Sequence, residues 1–161
     1  MRGHSLWARA MIDRAFIGVV SEPRTVEVET GQLKFFAKAT GETNPMYFDE
    51  EAAKSAGHPA LPTPLTFMFC LSSAAPAKRG AIFGDMGVSQ SRVLHGEQSF
   101  THHAPIYAGD VITLVTETID IYSKKGGALD FIVQDTKATN QAGVLCGEMR
   151  FTVVVRSEVA S

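Results

Sequence analysis

The chain has 161 residues, of which 45% are hydrophobic and 20% are charged, and its formal net charge is −2. This length allows one well-buried core and is too short for two domains of ordinary size. The Lys and Arg residues are scattered, which excludes a basic nucleic-acid footprint, and no apolar run reaches the roughly 20 residues of a membrane span, so we expect one soluble, cytoplasmic domain.

The first part of the chain predicts a strand followed by two helices. Val19 to Val28 suits an irregular strand, and Thr30 offers an N-cap hydroxyl to a helix that Gly41 ends. Asp49 is the N-cap candidate of a short, alanine-rich second helix, and Gly57 is available as its left-handed C-terminal residue.

A third helix is predicted to begin near residue 63, with Thr63 as its cap and Pro64 at its first helical position. Apolar residues follow on all sides, which is typical of a helix in the interior of a domain. Residues 76–90 contain one proline and three glycines with few periodic apolar positions, so they predict a loop.

The second half of the chain predicts four strands separated by turn signals: Val93 to Ala104, Val111 to Tyr122, Leu129 to Thr139 and Val144 to Val155. Consecutive strands of this kind favour an antiparallel meander, and the third helix is the element suited to cover its apolar face. We therefore predict an α+β domain, a single antiparallel sheet wrapped around a central buried helix, as in a hotdog fold. Its predicted bounds are 14–156, with a poorly defined N-terminal extension at 1–13 and a tail at 157–161; initiation at Met1 or at Met11 is left open.

Metal and cofactor signals are lacking. Cys70 and Cys146 have no CxxC spacing, and the chain contains no GxGxxG, Walker or GxSxG pattern. We expect no disulfide, no metal and no cofactor.

A polar loop, Gly41-Glu42-Thr43-Asn44-Pro45-Met46-Tyr47-Phe48-Asp49, lies between the first two predicted helices. It resembles the signature of MaoC-like hydratases and dehydratases, which are hotdog enzymes, and further resemblance in residues 94–100 and 104–110 extends the likeness to about 14–156. Glu42 stands where this family has its catalytic Asp, and Tyr47 stands where it has its catalytic His.

The resemblance implies reversible hydration of a trans-2-enoyl thioester, which needs a base, an acid and donors for the thioester oxygen. In this chain Glu42 would hold or deprotonate water, Asn44 would orient it and Tyr47 would donate the proton. A structural interpretation stays open beside this one, with Glu42 as a solvated helix-end residue, Asn44 as a turn former and Tyr47 as half-buried packing.

Substrate contacts are expected at the start of the third helix. Unpaired backbone N–H groups near Leu65 and Thr66 would face the thioester oxygen, and apolar side chains of that helix line either an acyl tunnel or the core: Phe67, Met68, Phe69 and Leu71.

Histidines form a second group of candidates. Strand alternation predicts His95 and His103 on one face and His102 on the other, so they should not chelate one metal together; a His95–Glu pair or a polar strand face remains possible. His58 either borders a substrate entrance or is exposed.

The sequence leaves three candidate functions. The first is an (R)-specific enoyl-CoA hydratase or 3-hydroxyacyl-thioester dehydratase acting on acyl-CoA or acyl-ACP. The second is a non-catalytic, acyl-binding subunit, because the run Leu61-Pro62-Thr63-Pro64 is similar to the substrate-holding subunit of two-subunit dehydratases, whose partner supplies the Asp and His. Both imply a homodimer or a heterodimer with another MaoC-like hotdog. A thioesterase is disfavoured, because no carboxylate occurs between Gly57 and Ala81.

Overall fold

The computed structural model describes residues 12–76 and 82–156. Most of the predicted N-terminal extension (1–13), both candidate initiation residues, Met1 and Met11, and the predicted tail (157–161) lie outside the described residues. Within the described ranges, no helix is both long enough and apolar enough to cross a membrane.

Among the described residues, five strands form one antiparallel sheet in the order β1-β3-β4-β5-β2. They are β1 (Arg24–Glu27), β2 (Val93–His102), β3 (Val111–Lys124), β4 (Leu129–Thr139) and β5 (Leu145–Arg156). The four strands predicted for the second half of the chain are therefore present, with boundaries within two residues of the predicted ones.

The predicted meander of four consecutive strands is wrong in one respect. Strands β3, β4 and β5 do follow one another, but β2 pairs with β5 at the far edge and β1 pairs with β3. The connection after β2 explains the difference, since Pro62 forms an isolated bridge with Tyr107 and the Ala108 N–H donates to the Leu61 carbonyl oxygen (2.9 Å). The connecting segment is thus held against a segment outside the sheet and carries the chain to β3, which lies next to the edge strand β1 on the opposite side of the sheet from β2.

In the part of the chain that the structure describes, four α-helices accompany the sheet: α1 (Thr30–Ala39), α2 (Glu50–Ser55), α3 (Phe67–Ala74) and α4 (Ile82–Asp85). Gly41 follows α1 with φ +76°, and Gly57 follows α2 with φ +91°, as predicted for left-handed C-terminal residues. Asp49 caps α2, because its Oδ1 accepts from the Ala52 N–H (2.8 Å). The predicted N-cap at Thr30 is wrong, because Thr30 is already the first residue of α1 and Glu29 occupies the N-cap position. The Glu29 side chain makes no cap bond to the backbone, and its Oε2 accepts from the Gln32 Nε2 instead (3.1 Å).

The predicted start of the third helix is also wrong. Helix α3 begins at Phe67, with Thr66 at the N-cap position and no side-chain cap bond. Thr63 is instead held by long-range pairing, because its N–H donates to the Ile106 carbonyl oxygen (2.8 Å), and a turn at Leu65 and Thr66 then leads into the helix. The predicted loop at 76–90 is wrong in part, since α4 lies within it and a 3₁₀ turn (Gln90–Arg92) begins at its last residue. Residues 77–81 of this loop lie outside the described ranges.

The core lies between α3 and one face of the sheet. Phe67, Met68 and Leu71 of α3 are buried, and they belong to one apolar cluster with sheet residues such as Ile112 and Leu114. Leu71 and both sheet residues are fully excluded from solvent. A central helix packed on an antiparallel sheet is the α+β arrangement predicted from the sequence.

Candidate functional site

A pocket of about 290 Å³ opens at the N-terminal end of α3. Four segments meet there: the turn after α1, the chain between α2 and α3, α3 itself, and the end of β2 with the residues that follow it. The lining residues are Met46, Tyr47, His58, Pro62, Thr63, Leu65, Met68, His102, His103, Ala104, Pro105 and Ile106. The pocket therefore combines an apolar wall with three imidazole groups and one phenol.

Glu42 and Asn44 shape the turn that leads into this pocket. The Glu42 Oε1 atom accepts hydrogen bonds from the N–H groups of Thr43 (2.8 Å) and Asn44 (2.9 Å). The Asn44 Oδ1 atom accepts from the Met46 N–H (3.1 Å) and so caps the short 3₁₀ helix Pro45–Tyr47. These two predicted site residues are not among the pocket lining, and the contacts described for them are with the backbone.

Tyr47 lies at the end of the same turn and does line the pocket. Partial burial, and secondly the nearby charge of Glu42, raise the pKa of the Tyr47 phenol above its ordinary value. The phenol therefore stays neutral at physiological pH. In this state it can donate a hydrogen bond into the pocket, but it is a poor proton acceptor.

The predicted substrate contacts separate into different environments. Leu65 lines the pocket and is 65% exposed, whereas Thr66 is exposed at the N-cap position of α3. Phe67 is buried and packs edge-on against Phe36, with ring centroids 5.3 Å apart. The Phe69 ring lies away from the pocket lining, 5.8 Å from the His95 ring.

The predicted distribution of the strand histidines is wrong. A register shift in β2 between His95 and Glu97 turns His95 toward α3, where it contacts Phe69. His102 stacks on Phe100, which packs into the same core. His95 and His102 thus share one face, because the β-bulge inverts the alternation that an uninterrupted strand would keep.

Two histidines reach the pocket with partners of their own. His103, just beyond β2, places Nε2 3.0 Å from Glu148 Oε2, and both side chains are about 40% exposed. His58 places Nδ1 3.3 Å from the Tyr107 hydroxyl, and it borders the pocket, which was one of the two positions predicted for it. Within residues 12–76 and 82–156, no group of three or more His, Cys, Asp or Glu side chains is arranged to hold a metal ion.

Sequence reasoning missed the partners of these histidines. Tyr107 and Glu148 lie 49 and 45 positions away from His58 and His103, so no local spacing signals either pair. The one signal in the sequence is the segment 104–110 around Tyr107, which resembles the MaoC-like family but does not indicate a partner for His58.

The arrangement suits a ligand with an apolar part and one polar acceptor. Leu65, Met68 and Ile106 provide apolar surface, while the neutral phenol of Tyr47 provides a donor at the wall. Pockets built in this way take most of their affinity from apolar contact and their orientation from a few polar groups.

Comparisons with known proteins agree with this geometry. A family profile described as "FAS1-like, dehydratase domain region" matches residues 15–149. A UPF0336 protein of Saccharopolyspora erythraea is 36% identical over 148 residues, which cover 90% of this chain and 92% of that protein.

Solved structures are similar as well. A chain of the C-terminally truncated HadBC (3R-hydroxyacyl-ACP dehydratase) complex from Mycobacterium tuberculosis superposes with a TM-score of 0.73 at 27% identity, covering 86% of this chain and 96% of that one. A MaoC-like dehydratase superposes with a TM-score of 0.76 at 26% identity, covering 88% of this chain and 42% of that one. These matches confirm the predicted hotdog fold and the MaoC-like resemblance.

Proposed function

Because this chain belongs to the FAS1-like dehydratase-region family, we propose that it is the acyl-thioester-binding subunit of a two-subunit 3-hydroxyacyl-thioester dehydratase. The observation that carries the proposal is how the side chains of Glu42 and Tyr47 are arranged in the turn at residues 42–47. Tyr47 faces the pocket as a neutral phenol where catalytic relatives carry histidine, and Glu42 directs an oxygen at its own backbone.

In this role Tyr47 donates a hydrogen bond to the thioester oxygen or to a polar group beside it. The apolar wall formed by Leu65, Met68 and Ile106 holds the acyl chain. A partner hotdog with an intact Asp and His supplies the acid and base. Similarity to a chain of a two-component dehydratase complex supports this assembly. The proposal also includes a cytoplasmic location and a single domain that spans residues 14–156.

A second candidate is a hydratase that works without a different partner. The observation that favours it is that His58, His102 and His103 line the same pocket as Tyr47. Imidazole titrates near neutral pH and is well matched to proton transfer. In this alternative one imidazole, or Glu42 through water, is the base, Asn44 orients the water, Tyr47 is the acid, and the backbone at Leu65 and Thr66 faces the oxyanion.

Hydration assays separate the two candidates. The purified chain is tested alone with crotonyl-CoA and longer enoyl-CoA thioesters, and again after co-expression with a MaoC-like protein that has the complete Asp and His motif. The binding-subunit proposal expects no hydration above buffer from the chain alone and turnover by the pair. Turnover by the chain alone would overturn it in favour of the hydratase, and loss of that turnover in His58→Ala, His102→Ala, His103→Ala or Glu42→Gln would identify the base.

A binding measurement tests the assigned donor. Tyr47→Phe keeps the ring and removes the hydroxyl, so the Kd for an acyl-CoA should rise roughly two- to tenfold, the range for one hydrogen bond of about 0.5–1.5 kcal/mol. Tyr122→Phe is the matched control, because that ring stacks on Phe131 and does not line the pocket. An equal Kd in both variants and in the wild-type chain would remove Tyr47 from the site.

A further inference from the structure

At Gly147 of β5, a side chain of α3 lies directly against the sheet backbone. A Cβ atom at this position would overlap the Cε atom of Met68 and would lie 2.9 Å from the Thr101 carbonyl oxygen. Real Cβ atoms do not occur at such separations, so the absence of a side chain at 147 is what lets Met68 rest on the strand.

Met68 also lines the pocket, and it is only 3% exposed. His102, which pairs with Gly147 across the β2–β5 ladder, lines the same pocket. The Met68 side chain therefore lies between the pocket and the strand, and its seat on Gly147 fixes how far it extends into the pocket. Methionine is unbranched and flexible, so its position responds to the surface on which it rests.

We propose that Met68, seated on Gly147, sets the depth of the pocket and thereby the length of the acyl chain that it accepts. This inference rests on the proposed function and adds a determinant of substrate length to it. The next pair of residues on the same face of the sheet is Phe100 and Met149, and both contribute apolar surface to the core. An acyl chain that passes the position of Met68 would meet that surface.

Two substitutions change the depth in opposite directions. Met68→Ala removes Cγ, Sδ and Cε, which leaves space for roughly three methylene groups. Gly147→Ala places a methyl group where the Met68 Cε lies and should push that side chain into the pocket. Each methylene buried in or excluded from the pocket should change the Kd roughly fourfold.

The experiment measures the Kd of saturated acyl-CoA thioesters, from butyryl-CoA to palmitoyl-CoA, with the full chain. In Met68→Ala the tightest-binding chain should be about three carbons longer than in the wild-type chain, and in Gly147→Ala it should be shorter. In the double variant the shortening should disappear, because the Cε atom that Gly147→Ala displaces is gone.

Leu71→Ala is the matched control, since Leu71 is buried on the same helix and does not line the pocket. It should lower stability without moving the preferred chain length. If Gly147→Ala does not fold because of the close Thr101 oxygen, the comparison of Met68→Ala with Leu71→Ala decides the question.

The outcomes distinguish this inference from the proposed function. Binding of acyl-CoA with an identical length profile in the wild-type chain and Met68→Ala overturns the inference alone. Failure of the wild-type chain to bind any acyl-CoA in the series overturns the proposed function and, with it, the inference.

Discussion

The role of Glu42 separates the two candidate functions, because its carboxylate either transfers a proton or stabilises the turn beside the pocket. In the structure one of its oxygens accepts two backbone N–H groups, at 2.8 and 2.9 Å. A hydrogen bond to a charged group contributes about 1.5–3 kcal/mol, and solvent screening at this partly exposed site reduces the pair to about 1–2 kcal/mol in total. Glu42→Ala should lose this stability, which corresponds to a Tm decrease of roughly 2–8 °C for a domain of this size.

Glu42→Gln separates the two roles, because the amide keeps an oxygen that accepts both bonds but cannot act as a base. We expect it to retain at least half of the stability that Glu42→Ala loses. Thermal unfolding of the chain gives the stability, and turnover by the complex with its catalytic partner gives the activity. Under the binding-subunit proposal, Glu42→Gln should leave turnover within about threefold of the wild-type value.

One result would refute this reasoning. If Glu42→Gln unfolds at the wild-type temperature but lowers turnover by about a hundredfold or more, the scale expected for loss of a general base, Glu42 performs proton transfer. The structural role assigned to its two backbone bonds would then be insufficient.

Four further predictions concern ionisation and stability. The difference between the absorbance titrations of the wild-type chain and of Tyr47→Phe should show a phenol with a pKa above the ordinary value of about 10. Glu42→Gln should lower this pKa only in part, so that it stays above the ordinary value, because burial is the larger cause of the shift. Since the folded state disfavours the Tyr47 phenolate, stability should fall as the pH rises from that ordinary value through the raised pKa, and less so in Tyr47→Phe; equal slopes would contradict this. Asp49→Ala should lower the free energy of unfolding, measured with urea, by about 1 kcal/mol, because the α2 cap is lost. Asp49→Asn should keep most of that stability, and equal losses in the two variants would show that the cap bond is not the cause. Leu33→Ala should cost about 2–5 kcal/mol because Leu33 is fully buried, whereas its exposed neighbour Lys34→Ala should change little; a small loss at Leu33 would mean that the cavity collapses.

Elements that depend on nearby residues were predictable from the sequence. Gly41 and Gly57 end their helices in the left-handed region, and Asp49 caps the next helix, because each acts within a few residues of its own position. The same holds for the strands after residue 92, whose alternating apolar residues and turn signals are local. The family resemblance of the loop at 41–49 identified the hotdog fold without any knowledge of strand order.

Other features needed the tertiary structure because they arise from long-range pairing. Because Thr63 pairs with Ile106, α3 begins at Phe67 and not at the predicted residue 64. The β-bulge between His95 and Glu97 places His95 on the face of the sheet that α3 covers. Neither effect can be predicted from the local sequence around Thr63 or His95.

The pocket shows the division most clearly. The sequence by itself determined a hotdog domain with a substituted motif, in which Tyr47 replaces the expected histidine. Only the tertiary structure brought Tyr47 beside His58 and His103, and only the close approach of α3 to the sheet at Gly147 placed Met68 in the pocket wall. The physical reason is that apolar periodicity and capping specify elements, whereas the contacts that shape a site join residues far apart in the chain, and these are decided when the helix packs on the sheet.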